Sequence, residues 1–232
     1  MRIKVPGLLV ALLIVACSVL AAGCGETAGE VKAPRFTDST PMAGDVYAAQ
    51  PVNVTLNFQV DLARGSSISV VGAGEEWATG PVLIEDQSTA MKRALKQGMR
   101  EGEYSVRYTA RYASGSTGEG RSFFRIDPAM LADYEDLQGR SQVTIRMTGL
   151  AFLPRLAVVS PGTTITWVNE EQAAHFVNTE THPEHTYVPE MNSKELKQGE
   201  SFSVTLETPG QYDYHCSAHY PQGMKGSIVV AE

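Results

Sequence analysis

From Val52 to Val60 every second residue is apolar, with Val52, Val54, Leu56, Phe58 and Val60 separated by Asn53, Thr55, Asn57 and Gln59. A two-residue period predicts a strand with one buried face. Ile68–Val71, Tyr104–Tyr112 and Phe123–Ile126 follow the same rule, and the glycine-rich stretch 114–120 reads as a turn. Met91, Ala94 and Leu95 fall at helical spacing, so residues 88–97 are expected to form a short helix. After Asp127 the pattern changes. Pro128 suits the first turn of a helix capped by Asp127, and Met130, Leu131, Tyr134 and Leu137 share one face, so residues 128–140 are expected to be a linker with a short helix. Strand patterns resume over 143–147, 163–168, 201–206, 211–216 and 227–230, with Pro161-Gly162 and Pro209-Gly210 marking turns. Two strand-rich segments, 33–127 and 141–232, predict an all-β chain of two β-sandwich domains.

The first residues follow another pattern. Arg2 and Lys4 lead into an apolar run from Val5 to Leu20 that ends at Ala21-Ala22-Gly23-Cys24. This reads as an export signal, residues 1–23, followed by a cysteine placed for lipidation and a polar tether, residues 24–32. The 232 residues carry a formal net charge of −7. Loss of Arg2 and Lys4 with the signal leaves 17 basic against 26 acidic side chains, formally −9. That balance argues against nucleic acid as a partner and suits a soluble domain or a basic protein partner. Of the three cysteines, Cys17 departs with the signal and Cys24 takes lipid, which leaves Cys216 alone in an oxidising compartment. Binding a metal as thiolate would protect it.

The chemistry gathers at the C-terminal end. Cys216, His219 and Met224 place a thiolate, an imidazole and a thioether on one short loop, in the pattern C-x2-H-x4-M. A soft thiolate, nitrogen donors and a weak thioether suit copper in both of its common oxidation states. A second imidazole must come from elsewhere, and His175, after the strand-like 163–169, is the candidate. His182 and His185, with Glu184, offer a second, solvent-exposed metal site, although a mobile polar loop is the plainer expectation. By strand alternation His215 should point away from the Cys216 side. The sequence shows no paired catalytic carboxylates, nucleophile–base motif or phosphate loop, so no enzymatic activity is expected.

Residues 33–127, with Ala33-Pro-Arg-Phe-Thr-Asp-Ser-Thr-Pro41, the strand 52–60, Gly102-Glu-Tyr-Ser-Val-Arg-Tyr108 and Gly118-Glu-Gly-Arg-Ser-Phe-Phe-Arg-Ile126, resemble the CopC family of periplasmic copper-resistance domains. The resemblance implies an immunoglobulin-like sandwich. The positions matching that family's Cu(II) ligands are Ala33, Ser114 and Ser116, and no histidine precedes His175, so this domain is expected to act as a spacer or docking module. Its methionines Met42, Met91 and Met99 are scattered and are expected in packing or surface roles. Residues 141–232 resemble the cupredoxins, in particular the plastocyanin and pseudoazurin group. The motifs are Phe152-Leu-Pro154, Val158-x-x-Pro-Gly-Thr-Thr-Ile-Thr-Trp-Val-Asn169, Ala174-His-Phe-Val177 and Tyr212-x-Tyr-x-Cys-x-x-His-x-x-x-Gly-Met-x-Gly226. That likeness implies a Greek-key sandwich, one copper ion held by His175, Cys216, His219 and Met224, and an Asn169 that steadies the Cys216 loop.

The expected function is that of an exported lipoprotein, facing the periplasm or cell exterior, that carries single electrons between redox partner proteins on one blue copper ion. Copper storage, delivery or resistance is the alternative reading. A metal-free docking protein is a third, opposed by the C-x2-H-x4-M loop.

Overall fold

A computed structural model describes residues 29–84 and 88–232. The expected export segment and the lipid-bearing Cys24 lie outside the described residues. Among those described, no helix is long and apolar enough to cross a membrane.

The chain is all-β and forms two β-sandwich domains, each with two sheets closing on its own core. In the first domain one sheet runs Phe36–Thr40, Asn53–Phe58, Ala90–Leu95, Ala78–Ile84 in spatial order, and the other runs Val46–Tyr47, Thr117–Ile126, Gly102–Arg111, Ser67–Gly72, Glu75–Glu76. Leu56, Met91, Val106 and Phe124 meet between them. In the second domain one sheet runs Ala151–Leu153, Gln142–Thr148, Thr163–Asn169, Ser201–Leu206. The facing sheet runs Glu135–Asp136, Leu156–Val159, Lys225–Val230, Gly210–His215, Asn178–Thr179. Trp167 is fully buried in this core, edge-on to Tyr214 at 5.3 Å.

Four expectations need correction. Residues 90–95 form a strand rather than a helix, with Met91 opposite Leu56 in an antiparallel ladder. Met91 and Leu95, four residues apart, share a face in either geometry, so the spacing could not separate the two. The strand Thr117–Ile126 begins inside the stretch expected as a turn, where Gly118 leaves room for the Tyr112 hydroxyl and Pro34 and Gly120 lies under the ring of Tyr108. The linker's short helix starts where expected, with the Asp127 carboxylate accepting from the Ala129 N–H at 3.1 Å, but it is a 3-10 helix, Pro128–Asp133, that ends before Tyr134 and Leu137 can share its face. It buries none of its residues. Instead Leu137 enters the second core, and Glu135–Asp136 already pairs with Leu156–Val159. Finally, the strand Asn53–Phe58 is buried at every position, not on one face. Val54, Leu56 and Phe58 fill the first core, while Asn53 and Asn57 hydrogen-bond to the second domain.

That junction decides the shape of the functional end. Tyr187 is fully buried between the domains, where its hydroxyl accepts from the Val52 N–H at 2.9 Å and donates to the Gln211 carbonyl at 2.8 Å. Gln211 Oε1 accepts from the N–H groups of Ala48 and Ala49 at 2.7 and 3.2 Å. Beside these contacts a cavity of about 270 Å³ opens between the domains, and Asp45, Glu180, Asp213 and Lys225 gather on its wall.

Candidate metal centre

The strand Gly210–His215 sends alternate side chains to opposite faces. Tyr212 and Tyr214 enter the core, and so does Cys216 just past the strand end. The chain then makes a 3-10 turn, Ser217–Gln222, which Gly223 ends in a left-handed conformation at φ 79°. That turn folds the loop back on itself. The Cys216 N–H donates to the Met224 carbonyl at 3.0 Å, and the Met224 N–H donates to the His219 carbonyl at 3.3 Å. His175 reaches the same place from between two strands, held by an antiparallel bridge to Leu196 with backbone hydrogen bonds of 3.0 and 2.8 Å.

These elements bring three of the four expected ligands together. Cys216 Sγ lies 3.6 Å from Nδ1 of His175 and 3.4 Å from Nδ1 of His219. A sulfur and an imidazole nitrogen bound to one tetrahedral ion, at bond lengths of about 2.3 and 2.0–2.1 Å, would stand about 3.6 Å apart. The spacing therefore fits a single shared ion. His175 and Cys216 are fully buried, and His219 is half-buried at the rim. Met224 is 1 % exposed and packs into the same core as Cys216.

Two supporting groups were not evident from the chain. Glu171 accepts at 2.7 Å from Nε2 of His175, which places the proton on Nε2 and leaves the Nδ1 lone pair facing the sulfur. Burial raises the Glu171 carboxyl, but N–H donors from Leu150 and Gly149 and the His175 ring outweigh it and hold the carboxyl below its usual range. Burial, opposed by Glu171 and reinforced by His219, depresses His175, so its imidazole stays neutral and able to coordinate. The Phe176 N–H points at Cys216 Sγ at 3.3 Å, a donor suited to a thiolate. Glu171 stands four residues before His175, but an acidic residue at that distance has no meaning until the loop is folded.

Asn169 acts elsewhere than expected. Its amide donates to the carbonyls of Ala173 and Leu196 at 2.7 and 2.9 Å, and its Oδ1 accepts from the Glu171 N–H at 3.0 Å. It steadies the His175 segment, not the Cys216 loop. The matching positions in the first domain carry no metal-binding side chains: Ala33 is in the core, and the hydroxyls of Ser114 and Ser116 lie 3.0 Å apart. Met91 and Met99 pack in that core and Met42 is 43 % exposed.

The loop of His182 and His185 is not the free polar segment expected. Thr181 Oγ1 donates to Asp38 at 2.8 Å and accepts from Asn57 Nδ2 at 3.1 Å, and Thr186 Oγ1 donates to Asn57 Oδ1 at 2.9 Å. The two histidines turn toward His215, and Glu184 takes no part in the cluster. His215 faces away from the Cys216 side, as strand alternation predicts.

Comparison with known proteins agrees with this division of the chain. Residues 140–231 match the copper binding proteins of the plastocyanin/azurin family, and residues 36–127 match the CopC domain. Chloroplastic plastocyanin of Physcomitrium patens is 33% identical over 96 residues, a stretch covering 38% of this chain and 57% of that protein. The chain thus spans little more than half the length of that relative. Plastocyanin of Scenedesmus fuscus is 32% identical over 94 residues, covering 35% of this chain and 87% of its own. The crystal structure of CopC from Methylosinus trichosporium OB3b aligns at 26% identity and a TM-score of 0.36, covering 41% of this chain and 94% of that one.

Proposed function

Because the chain belongs to the plastocyanin/azurin family of copper-binding proteins and carries a CopC domain ahead of that part, we propose that it is an exported, lipid-tethered carrier of single electrons. In this reading His175, Cys216, His219 and Met224 hold one copper ion. The observation that carries it is the buried Cys216 sulfur with two imidazole Nδ1 atoms at 3.4 and 3.6 Å.

Copper in such a donor set supplies a one-electron couple, Cu(I)/Cu(II). The chain's own residues do the rest. Glu171 fixes the ring of His175, the Phe176 N–H steadies the sulfur, and the turn closed by Gly223 holds Cys216, His219 and Met224 in one loop. These restraints keep the donors in place when the charge changes. Half-buried His219, beside Tyr220 and Pro221, is the proposed point of contact with a redox partner in the extracytoplasmic space. Lipid on Cys24 would keep the carrier at the cell membrane. The test is visible absorption of the full chain after Cu(II) addition. An intense thiolate-to-copper band that bleaches with ascorbate and returns on reoxidation is expected. Copper bound without that band would overturn the assignment of Cys216. The His219→Ala protein should lose most of its exchange rate with its partner.

The CopC domain favours a second reading, copper storage or delivery. It gains ground if the bound copper is lost to a mild chelator on oxidation.

A further inference from the structure

A second group of donors lies on the other face of the strand that leads to Cys216. Ligand atoms of His182, His185 and His215 all fall within 4.8 Å of one another. Nε2 of His215 is 3.2 Å from Nε2 of His185. Two imidazole nitrogens on one ion, at bonds of about 2.0–2.1 Å, stand about 2.9 Å apart at a right angle and about 3.3 Å apart at the tetrahedral angle. The observed spacing falls between. Only one of these two nitrogens can carry a proton in so short a contact, so a lone pair is left directed into the cluster. His215 is fully buried, and its Nδ1, otherwise without a hydrogen-bond partner, lies 3.3 Å from Oε1 of Glu180. A carboxylate behind the far nitrogen of a ring is the arrangement that orients a metal-binding histidine. His182 stacks on Tyr220 at 4.5 Å and 14°, and Ser217 Oγ lies 2.9 Å from His185 Nε2.

We propose that His182, His185 and His215 form a second metal site, for an imidazole-preferring divalent transition ion such as Cu(II) or Zn(II), and that the first domain builds it. Three imidazoles with a carboxylate nearby match those ions better than Mg(II) or Ca(II), which favour oxygen donors. Two of the ligands sit on a loop with little structure of its own. That loop is fastened to the first domain by the Asp38, Asn57, Thr181 and Thr186 hydrogen bonds, and by Tyr187 buried at the junction. The first domain, which lacks histidine, thus serves as the scaffold that brings His182 and His185 to His215.

The probe is Zn(II), added to the full chain already carrying copper at the Cys216 site, with bound zinc counted by equilibrium dialysis. One zinc per chain is expected in the wild type. Loss of an outer partner alone weakens metal sites about 10–100-fold, so the His182→Ala/His185→Ala double variant should bind zinc more than about a hundredfold more weakly, with its thiolate band intact. Asn57→Ala should weaken zinc about tenfold through the loop, again with the band intact. No zinc bound by the wild type, or undiminished binding by the double variant, would overturn the second site. Zinc affinity unchanged in Asn57→Ala would overturn the scaffold role. Should the thiolate band never form, the difference in zinc count between wild type and double variant still reads the second site separately from the first.

Discussion

Asp213 is the residue whose charge the fold resists most clearly. Burial, with Glu180 and Asp45 nearby, pushes its carboxyl from 3.8 to about 6, against hydrogen bonds from Ser227 and Gln211 that favour the charged form. The folded chain therefore holds a proton that the unfolded chain has released. The stability this contributes is complete below about pH 4 and is lost as pH rises through about 6. Asp213 opens onto the cavity between the domains, so the full shift, up to about 3 kcal/mol, is a ceiling. Asp213→Asn should raise the thermal midpoint at pH 8 and leave it nearly unchanged at pH 3.5. Melting curves across that range check it, and an equal gain at both ends would sink the assignment. The four proposed ligands His175, Cys216, His219 and Met224 could be picked out from residue type and spacing. Glu171 and Glu180 could not, because the value of a carboxylate lies in which imidazole it faces, and that is set by contacts between separate loops.

Among the elements, the strand Gly210–His215 does the most positioning. Tyr212, Tyr214 and then Cys216 face the core, while Gln211, Asp213 and His215 face the junction and the histidine loop. The strand also begins at a residue that must be glycine. Gly210 has φ +149°, and a Cβ there would sit 2.6 Å from Val52 Cγ1 and 3.1 Å from the Gln50 carbonyl oxygen. Gly210→Ala should cost about 1–3 kcal/mol, or about 2–12 °C in Tm for a chain of this size. Thermal unfolding checks it, and an unchanged Tm would show that the domains separate without cost at this point. Most strands could be read from their two-residue period. Ala90–Leu95 could not, since Met91 and Leu95 fit both periods. Asn53–Phe58 shows its period in the sequence but not its environment, because its polar face meets another domain instead of water.

For the whole molecule, the junction should make two sandwiches behave as one unit. Tyr187 links Val52 and Gln211 through its hydroxyl, and Asn53 donates to its carbonyl at 3.0 Å. Differential scanning calorimetry should show one transition for the wild type and two for Tyr187→Ala, which removes a fully buried ring from the boundary. Two transitions in the wild type would mean that the domains are thermodynamically independent, and the first could then hardly scaffold a site on the second.

Local pattern by itself determined the all-β class, the division into two sandwiches and the C-x2-H-x4-M loop, since strand period, turn residues and ligand spacing are written within a few residues of one another. Only the tertiary structure decided that Glu171 backs His175, that Asn169 serves the His175 segment, and that His182 and His185 turn inward to His215. Each of these depends on contacts between residues far apart in the chain. A hydrogen bond from Asn57 to Thr181 spans 124 positions, a distance over which no local pattern carries information.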